Sequence, residues 1–369
     1  MEDLLLDEQL QTVAAKVRSG IRLDGDDGLR LLRTKSVLGV GYLADMVKRK
    51  KHGDRVYFVV NQHITPTNIC INRCKFCAFS RSKGEEGTFL FSLDEIEAKA
   101  LAMQGMGVRE MHIVGGLHPD LDLDYYLEMT HRLRRALPGA VVKALTAVEI
   151  AHLADKHNLP VEEVLTQLQA AGLEYLPGGG AEVFAPRVRA LACPEKISGR
   201  QWLEVHAAAH SIGIRTNATI LYGHIETLKE RVDHLLQLRE QQDRTGGFLA
   251  FIPLAFQPKH TELARRYSLS VTTAYDDLKM LAVSRLMLDN FDHIKAYWIN
   301  YGPKLSQVAV DFGVDDIHGT VMEEKISHAA GVDTNEVITK EELVRLIRAA
   351  GKLPVNRDAF YHSVEEGNA

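Results

Sequence analysis

Cys70-Ile71-Asn72-Arg73-Cys74-Lys75-Phe76-Cys77 holds three of the four cysteines in a chain of 369 residues. Thiolates are soft ligands that suit zinc or iron–sulfur clusters. A structural zinc site wants four ligands in closed tetrahedral geometry, and a typical cluster also takes four cysteines. This stretch offers three, spaced C-x3-C-x2-C. A cubane on three thiolates keeps one iron without a protein ligand, open to a small molecule; three buried or zinc-binding cysteines are the other reading. The apolar run Val56–Val60 and then Ile64-Thr65-Pro66-Thr67 lead into the stretch, and a polar loop leads out.

Outward from it, strand and helix signals alternate. Expected strands begin at 55 and recur at Glu110–Val114, Val141–Thr146, Glu174–Leu176, Arg215–Leu221, Phe248–Phe256, His293–Asn300 and Asp316–Val321. Helices are expected from Ser92, over Leu123–Leu137, Val161–Ala171, Ser198–Ile212, Thr227–Asp243, Thr272–Leu288 and Lys304–Phe312. Ser92-Leu93-Asp94-Glu95 has the form of a capping box. Near-continuous apolar strands alternating with helices indicate a parallel sheet buried on both faces. Eight such units in this length favour a (β/α)8 TIM-type barrel of class α/β over an open sheet. Residues 1–54 read as a helical cap, 55–324 as the barrel, and 325–369 as a helical extension covering the barrel or its mouth. In such barrels the chemistry sits at the C-terminal strand ends. The cysteine loop, Gly115-Gly116, Glu149, Gly178-Gly179-Gly180 and Gly223-His224-Ile225-Glu226 all fall there.

Composition narrows the function classes. Apolar residues at 46% suffice for a large core, and a net charge of −5 predicts no general affinity for nucleic acid or anionic membrane. Met1-Glu2-Asp3 is acidic and Leu4-Leu5-Leu6 is too short an apolar run for a signal peptide. No stretch of 18 apolar residues exists, so no membrane span is expected. A clustered trio plus the distant Cys193 is not a disulfide framework; reduced, metal-binding cysteines and a cytoplasmic location are expected.

The cysteine spacing, with Phe76 before the last thiol, resembles the signature of the radical S-adenosylmethionine (radical SAM) superfamily. The resemblance implies a [4Fe-4S] cluster on Cys70, Cys74 and Cys77, with S-adenosyl-L-methionine chelated at the open iron. It implies that Phe76 packs on the adenine side and that Gly115 and Gly116 admit the methionine moiety, although Leu117 stands where the superfamily carries a glutamate. Glu149 would bond the ribose, where a helix N-terminal charge is the alternative. Asn217, Thr219 and Tyr222 follow one another along one strand to its end, and Thr219–Glu226 is similar to the adenine-contact element, with Thr219 in place of its first glycine. Glu226 is the acid of that element or simply opens a helix.

Residues 60–320 look like the group that acts in the futalosine route to menaquinone and in deazaflavin synthesis. Ile113–Asp120, Lys143–Glu149, Pro177–Phe184, Cys193–Lys196, Glu323–Ile326 and Pro354–Asp358 are most similar to the aminofutalosine synthase family. Cyclic dehypoxanthinylfutalosine synthase, which shares the triple glycine and Thr245–Phe248, and deazaflavin-forming enzymes are the alternatives; a non-catalytic zinc-binding barrel is a remote one. The first resemblance implies addition of the adenosyl radical to 3-[(1-carboxyvinyl)oxy]benzoate, aryl migration and decarboxylation to 6-amino-6-deoxyfutalosine. The co-substrate is consumed, and a one-electron donor such as flavodoxin or ferredoxin is implied. Two substrate carboxylates call for cationic partners. Arg81, Lys143 and Arg215 are candidates, with Gly178, Gly179 and Gly180 lining the substrate. Of 16 histidines, His112, His118, His224 and His260 lie in or beside the expected mouth; His118 and His224 are candidates for proton transfer.

Overall fold

The computed structural model describes residues 8–364. The acidic opening Met1–Asp3, the run Leu4–Leu6 and the last residues of the 325–369 segment lie outside the described residues. Apolar alternation and long buried runs build a parallel sheet of seven strands in the order β2 (Asn61–Ile64), β3 (Glu110–Ile113), β4 (Val141–Ala144), β5 (Tyr175–Leu176), β6 (Arg215–Tyr222), β7 (Phe248–Ala255) and β8 (His293–Ile294). A second sheet places β1 (Arg55–Val59) between β10 (Leu353–Asn356) and β9 (Asp316–Gly319). The two sheets join. β1 runs into β2 across the single residue Val60, and on the other side Ala296 N–H donates to the Asp316 carbonyl at 2.8 Å. β9 then reaches β1 through Tyr57 N–H to the Asp315 carbonyl at 2.7 Å and Thr320 N–H to the Val59 carbonyl at 3.1 Å. Counting β1 and β2 as one staggered strand, eight parallel strands curl around a common interior.

Helix starts follow local chemistry. Ser92/Glu95, Thr146/Glu149, Ser198/Gln201 and Thr227/Glu230 all form reciprocal capping boxes. The sequence reading missed helices Ala147–His157, Pro186–Ala192 and Glu262–Tyr267. It also overran β8: the expected strand 293–300 stops at Ile294, and a helix begins at Trp298. There the indole N–H of Trp298 donates to the Gly319 carbonyl at 2.7 Å and the Asn300 amide to the Ala255 carbonyl at 2.9 Å. These bonds turn an apolar run inward that reads as strand on composition alone. Helices Glu8–Arg18, Gly25–Arg33 and Val37–His52 pack on the outer helices, with Gly41 beneath the ring of Phe312 and Gly28 against Met287.

The C-terminal segment divides. Residues 324–330 border the mouth. The chain then crosses helix Lys340–Ala349, and β10 adds to the edge of β1 in parallel, a strand not expected from the sequence. The following turn plugs the opposite end of the barrel. Arg357 is fully buried; its guanidinium lies 2.7 Å from Asp316 on β9 and 4.0 Å from Glu110 on β3. Lys143 on β4 stands 3.4 Å from Glu110, and Lys295 stands 3.8 Å from Asp316. Burial alone would neutralise Glu110, but Lys143, Lys295 and Arg357 hold its carboxyl well below the usual range.

Removing one member of a buried ion network leaves its partners charged and uncompensated. Arg357→Ala is therefore expected to lower unfolding free energy by about 3–5 kcal/mol, read from urea denaturation. An unshifted transition would show that the plug contributes no stability.

Candidate active site

The cysteine loop leaves β2 and is tied down at both ends. Cys70 N–H donates to the Arg81 carbonyl at 3.0 Å and Arg81 N–H to the Asn68 carbonyl at 2.8 Å. Ile71 N–H reaches Leu117 at 2.9 Å, and Lys75 N–H reaches Ala192 at 2.8 Å. Gly116 lets β3 meet this loop: a Cβ there would sit 2.2 Å from the Ile69 carbonyl oxygen. The Gly115-Gly116 pair thus answers first to packing against the loop, and its backbone also faces the cavity.

Cys70, Cys74 and Cys77 line one cavity of about 360 Å3 at the C-terminal strand ends. Among the described residues, the His/Cys/Asp/Glu trio whose ligand atoms all fall within 4.8 Å of one another is His52, His293 and Asp315, not the cysteines. A single tetrahedral zinc with Zn–S of about 2.3 Å draws its sulfurs to roughly 3.8 Å. The wider spread of the three thiols suits a polynuclear cluster and not one ion. Backbone also points at the sulfurs, with Ser80 N–H donating to Cys77 Sγ at 3.4 Å, a contact of the type that tunes cluster thiolates. Burial pushes the Cys74 thiol up to about 12 while the nearby Lys196 ammonium pulls it down. Lys196 itself is held charged against burial by Glu182, 2.6 Å away, and sits over the Phe76 ring. The residues fit the cluster.

One wall of the cavity is the loop Pro177–Gly180. The carbonyls of its three glycines are engaged: Thr219 Oγ1 donates to Gly178, the Trp202 indole to Gly179, and Arg189 to Gly180 and to the following Ala181. A Cβ on Gly178 would lie 2.8 Å from the Asn217 carbonyl, and one on Gly180 2.4 Å from Val148 Cγ2. The three glycines are a packed wall, not a flexible linker. Asn217 and Thr219 reach the cavity, and the side-chain Oδ1 of Asn217 accepts from the Tyr175 hydroxyl at 2.7 Å.

Several expected site residues sit elsewhere. Tyr222 is buried with its hydroxyl on Asp277 at 2.6 Å, away from the cavity lining. Glu226 accepts from the N–H groups of Gly223 and His224 and from Arg231, so its carboxylate is consumed within its own turn. His224 bonds the Leu221 carbonyl and Ile225 N–H, and His118 accepts from Asp120 N–H; neither lines the cavity. Glu149 is the third residue of its helix, its carboxylate accepting from Thr146 N–H at 2.6 Å; Thr146 and Val148, not Glu149, line the cavity. Burial pushes the Glu149 carboxyl up to about 7. Arg81 wraps the loop exit by donating to the carbonyls of Ala78, Phe79 and Ser80. Arg215 is exposed at the far end of β6, on the Gly246 carbonyl, and Lys143 belongs to the buried ion network. The structure brings none of these three cations to the cavity.

It brings instead His63, His112 and His318 with Ile252, Leu254 and Tyr297, and from the C-terminal segment Glu324, Lys325 and Ser327. Sequence reasoning singled out only His112 of these. The signal for the others was polar alternation, Asn61/His63/Thr65 along β2 and Asp316/His318/Thr320 along β9, which puts one polar face inward.

Residues 64–238 match the Radical SAM superfamily, and residues 245–368 match the CofH/MqnC C-terminal region. The chain is 49% identical to the aminodeoxyfutalosine synthase of Thermus thermophilus, over 97% of this chain and 96% of that protein. It is 42% identical to the 5-amino-6-(D-ribitylamino)uracil–L-tyrosine 4-hydroxyphenyl transferase of Archaeoglobus fulgidus, over 88% of this chain and 93% of that protein. The crystal structure of methylornithine synthase superposes with a TM-score of 0.75 at 17% identity, over 93% of this chain and 97% of that one, a likeness of fold. No helix among the described residues is long and apolar enough to cross a membrane.

Gly116→Ala is expected to displace the cysteine loop and lower iron bound after anaerobic reconstitution at least severalfold; full iron and an unaltered absorption band would contradict the packing argument. Glu149 gives a pH signature. Its folded carboxyl titrates above its unfolded value, so the folded state binds the extra proton and wild-type stability falls as pH rises from 4.5 towards 7. Glu149→Gln should flatten that fall, as measured by denaturation at a series of pH values.

Proposed function

Because this chain belongs to the radical SAM superfamily and, within it, to the aminodeoxyfutalosine synthase family, we propose that its cavity is where the adenosyl group of S-adenosyl-L-methionine is joined to 3-[(1-carboxyvinyl)oxy]benzoate, giving 6-amino-6-deoxyfutalosine for menaquinone. The observation that carries this reading is the near full-length 49% identity, which runs through both the cysteine-loop half and the C-terminal region that borders the same cavity. Cys70, Cys74 and Cys77 would hold a four-iron cluster, which when bound would supply the single electron that splits the carbon–sulfur bond of the co-substrate.

The chain's own work is holding and excluding. Gly115-Gly116 and the Gly178–Gly180 wall offer backbone at close range beside the cysteine loop, with Thr146, Val148, Asn217 and Thr219 around them. This glycine-lined side is the berth for S-adenosyl-L-methionine. The opposite side, built by β2, β3, β7, β9 and residues 297–327, is the berth for the aromatic acid. The cationic heads of Lys196 and Lys325 stand at the cavity, the latter over the rings of Phe89 and Phe91. Residues 324–327 close over the mouth and keep water from a reactive centre. We read residues 1–54, 55–324 and 325–369 as cap, barrel and extension, with the extension both bordering the mouth and plugging the floor. A flavodoxin- or ferredoxin-type donor in the cytoplasm would supply the electron.

Mass spectrometry of an anaerobic, reduced reaction with the enol-ether acid tests the reading. The adenosyl mass is expected in the product, with carboxyl loss. Release of free 5′-deoxyadenosine with no adduct would favour instead the hydrogen-abstracting deazaflavin or cyclase chemistry, for which the 42% identity to the hydroxyphenyl transferase is the supporting observation.

A further inference from the structure

The cavity ends inside the barrel on three imidazoles contributed by three strands. His63 of β2 and His112 of β3 stack with ring centroids 4.6 Å apart, and His318 of β9 stands edge-on to His63 at 5.6 Å. The Nε2 atoms of His63 and His318 lie 3.5 Å apart. Nδ1 of His112 and Nδ1 of His318 are buried and meet no hydrogen-bond partner, a costly arrangement for a site meant only to pack. Burial keeps all three rings neutral: His63 is pushed down to about 4, the others well below the usual range. Neutral rings retain N–H groups to donate.

The charges behind them decide what they receive. Under the imidazoles lie Lys143, Lys295 and Arg357 with the carboxylates Glu110 and Asp316; burial pulls both lysines down, Lys295 to about 7, and Glu110 acts on His63 and His112 in the opposite sense to them. Lys143 and Lys295 both act on all three histidines in the sense of a positive potential. Glu324 also faces His63, but its carboxylate is occupied by Ser327 N–H at 2.9 Å and His328 at 2.9 Å. The three rings do not converge as metal ligands do. Ile252, Leu254 and the Tyr297 ring stand beside them, apolar walls for a flat group.

We propose that His63, His112 and His318 form the subsite that receives the carboxylate of an aromatic acid, the benzoate end of the substrate, with Ile252, Leu254 and Tyr297 flanking its ring. This rests on the functional reading above and adds the residues that orient the acid. Imidazole N–H groups that face the cavity donate charge-assisted hydrogen bonds to the carboxylate oxygens. Arg357, with Lys143 and Lys295, lies behind them and lends positive potential to the site without touching the acid. The remote end of the substrate is then left towards the cysteine loop.

Equilibrium binding of 3-hydroxybenzoate to the cluster-loaded enzyme, followed by titration calorimetry with phenol as the neutral control, tests the subsite. The acid is expected to bind wild type at least about tenfold more tightly than phenol. His112→Gln and His318→Gln should each weaken the acid by roughly ten- to a hundredfold and leave phenol unchanged. For the full substrate, KM should rise in these variants more than kcat falls. Variants that bind the acid like wild type, or lose acid and phenol alike, overturn the proposal. Circular dichroism and the cluster absorption band report folding; if one variant fails to fold, the other and His63→Gln decide. Because the probe needs no turnover, acid binding through these histidines without any adenosyl adduct would overturn the functional reading and sustain the subsite. An adenosyl adduct with histidine-independent acid binding would do the reverse.

Discussion

The contact on which the rest depends is that of Arg357 with Asp316 and Glu110. It joins the end of the chain to β9 and β3, on either side of the staggered strand β1–β2 that carries the cysteine loop. Five ionisable side chains at the foot of a barrel are expensive to bury, and only their mutual pairing offsets the lost hydration. In exchange the network specifies register. A slip of one residue in β3, β4 or β9 would turn Glu110, Lys143 or Asp316 to the outer face and leave the others unpaired. The same register sets His112 two residues above Glu110 and His318 two above Asp316, so cavity and floor are aligned by one set of strand phases.

Much of this was legible in the sequence. Alternating strand and helix signals and their capping boxes are local, and they located seven of the strand–helix units. The cysteine loop was legible because three thiolates in eight residues have few other physical explanations. What was not legible depends on non-local partners. Tyr297-Trp298-Ile299 has strand composition, yet the indole of Trp298 finds Gly319 and turns the chain into a helix. β10 exists because β1 has an open edge at its foot, which nothing in residues 353–356 announces.

The candidate site shows the same division. Glycines at strand ends marked the wall correctly as a place of close approach, but the nearest atoms are the protein's own. Gly178 approaches the Asn217 carbonyl and Gly180 approaches Val148. Motif-level reading favoured acids and cations near glycine-rich turns. In the fold Glu226 spends its carboxylate on adjacent backbone and Arg231, and Arg81 turns one guanidinium nitrogen onto the carbonyls of Ala78, Phe79 and Ser80. His63 and His318 are 255 positions apart, and only closure of the strand ring makes them neighbours.

The position of Arg357 near the end of the chain has a consequence for the order of events during synthesis. The barrel strands and the cysteine loop leave the ribosome long before the residue that closes their floor. Glu110 on β3 and Asp316 on β9 therefore have only Lys143 and Lys295 as partners until Arg357 has been made and β10 can add to β1. A nascent or prematurely terminated chain presents thiols without a finished cavity beneath them. The floor beneath the cysteine loop is thus the last part of the barrel to be closed.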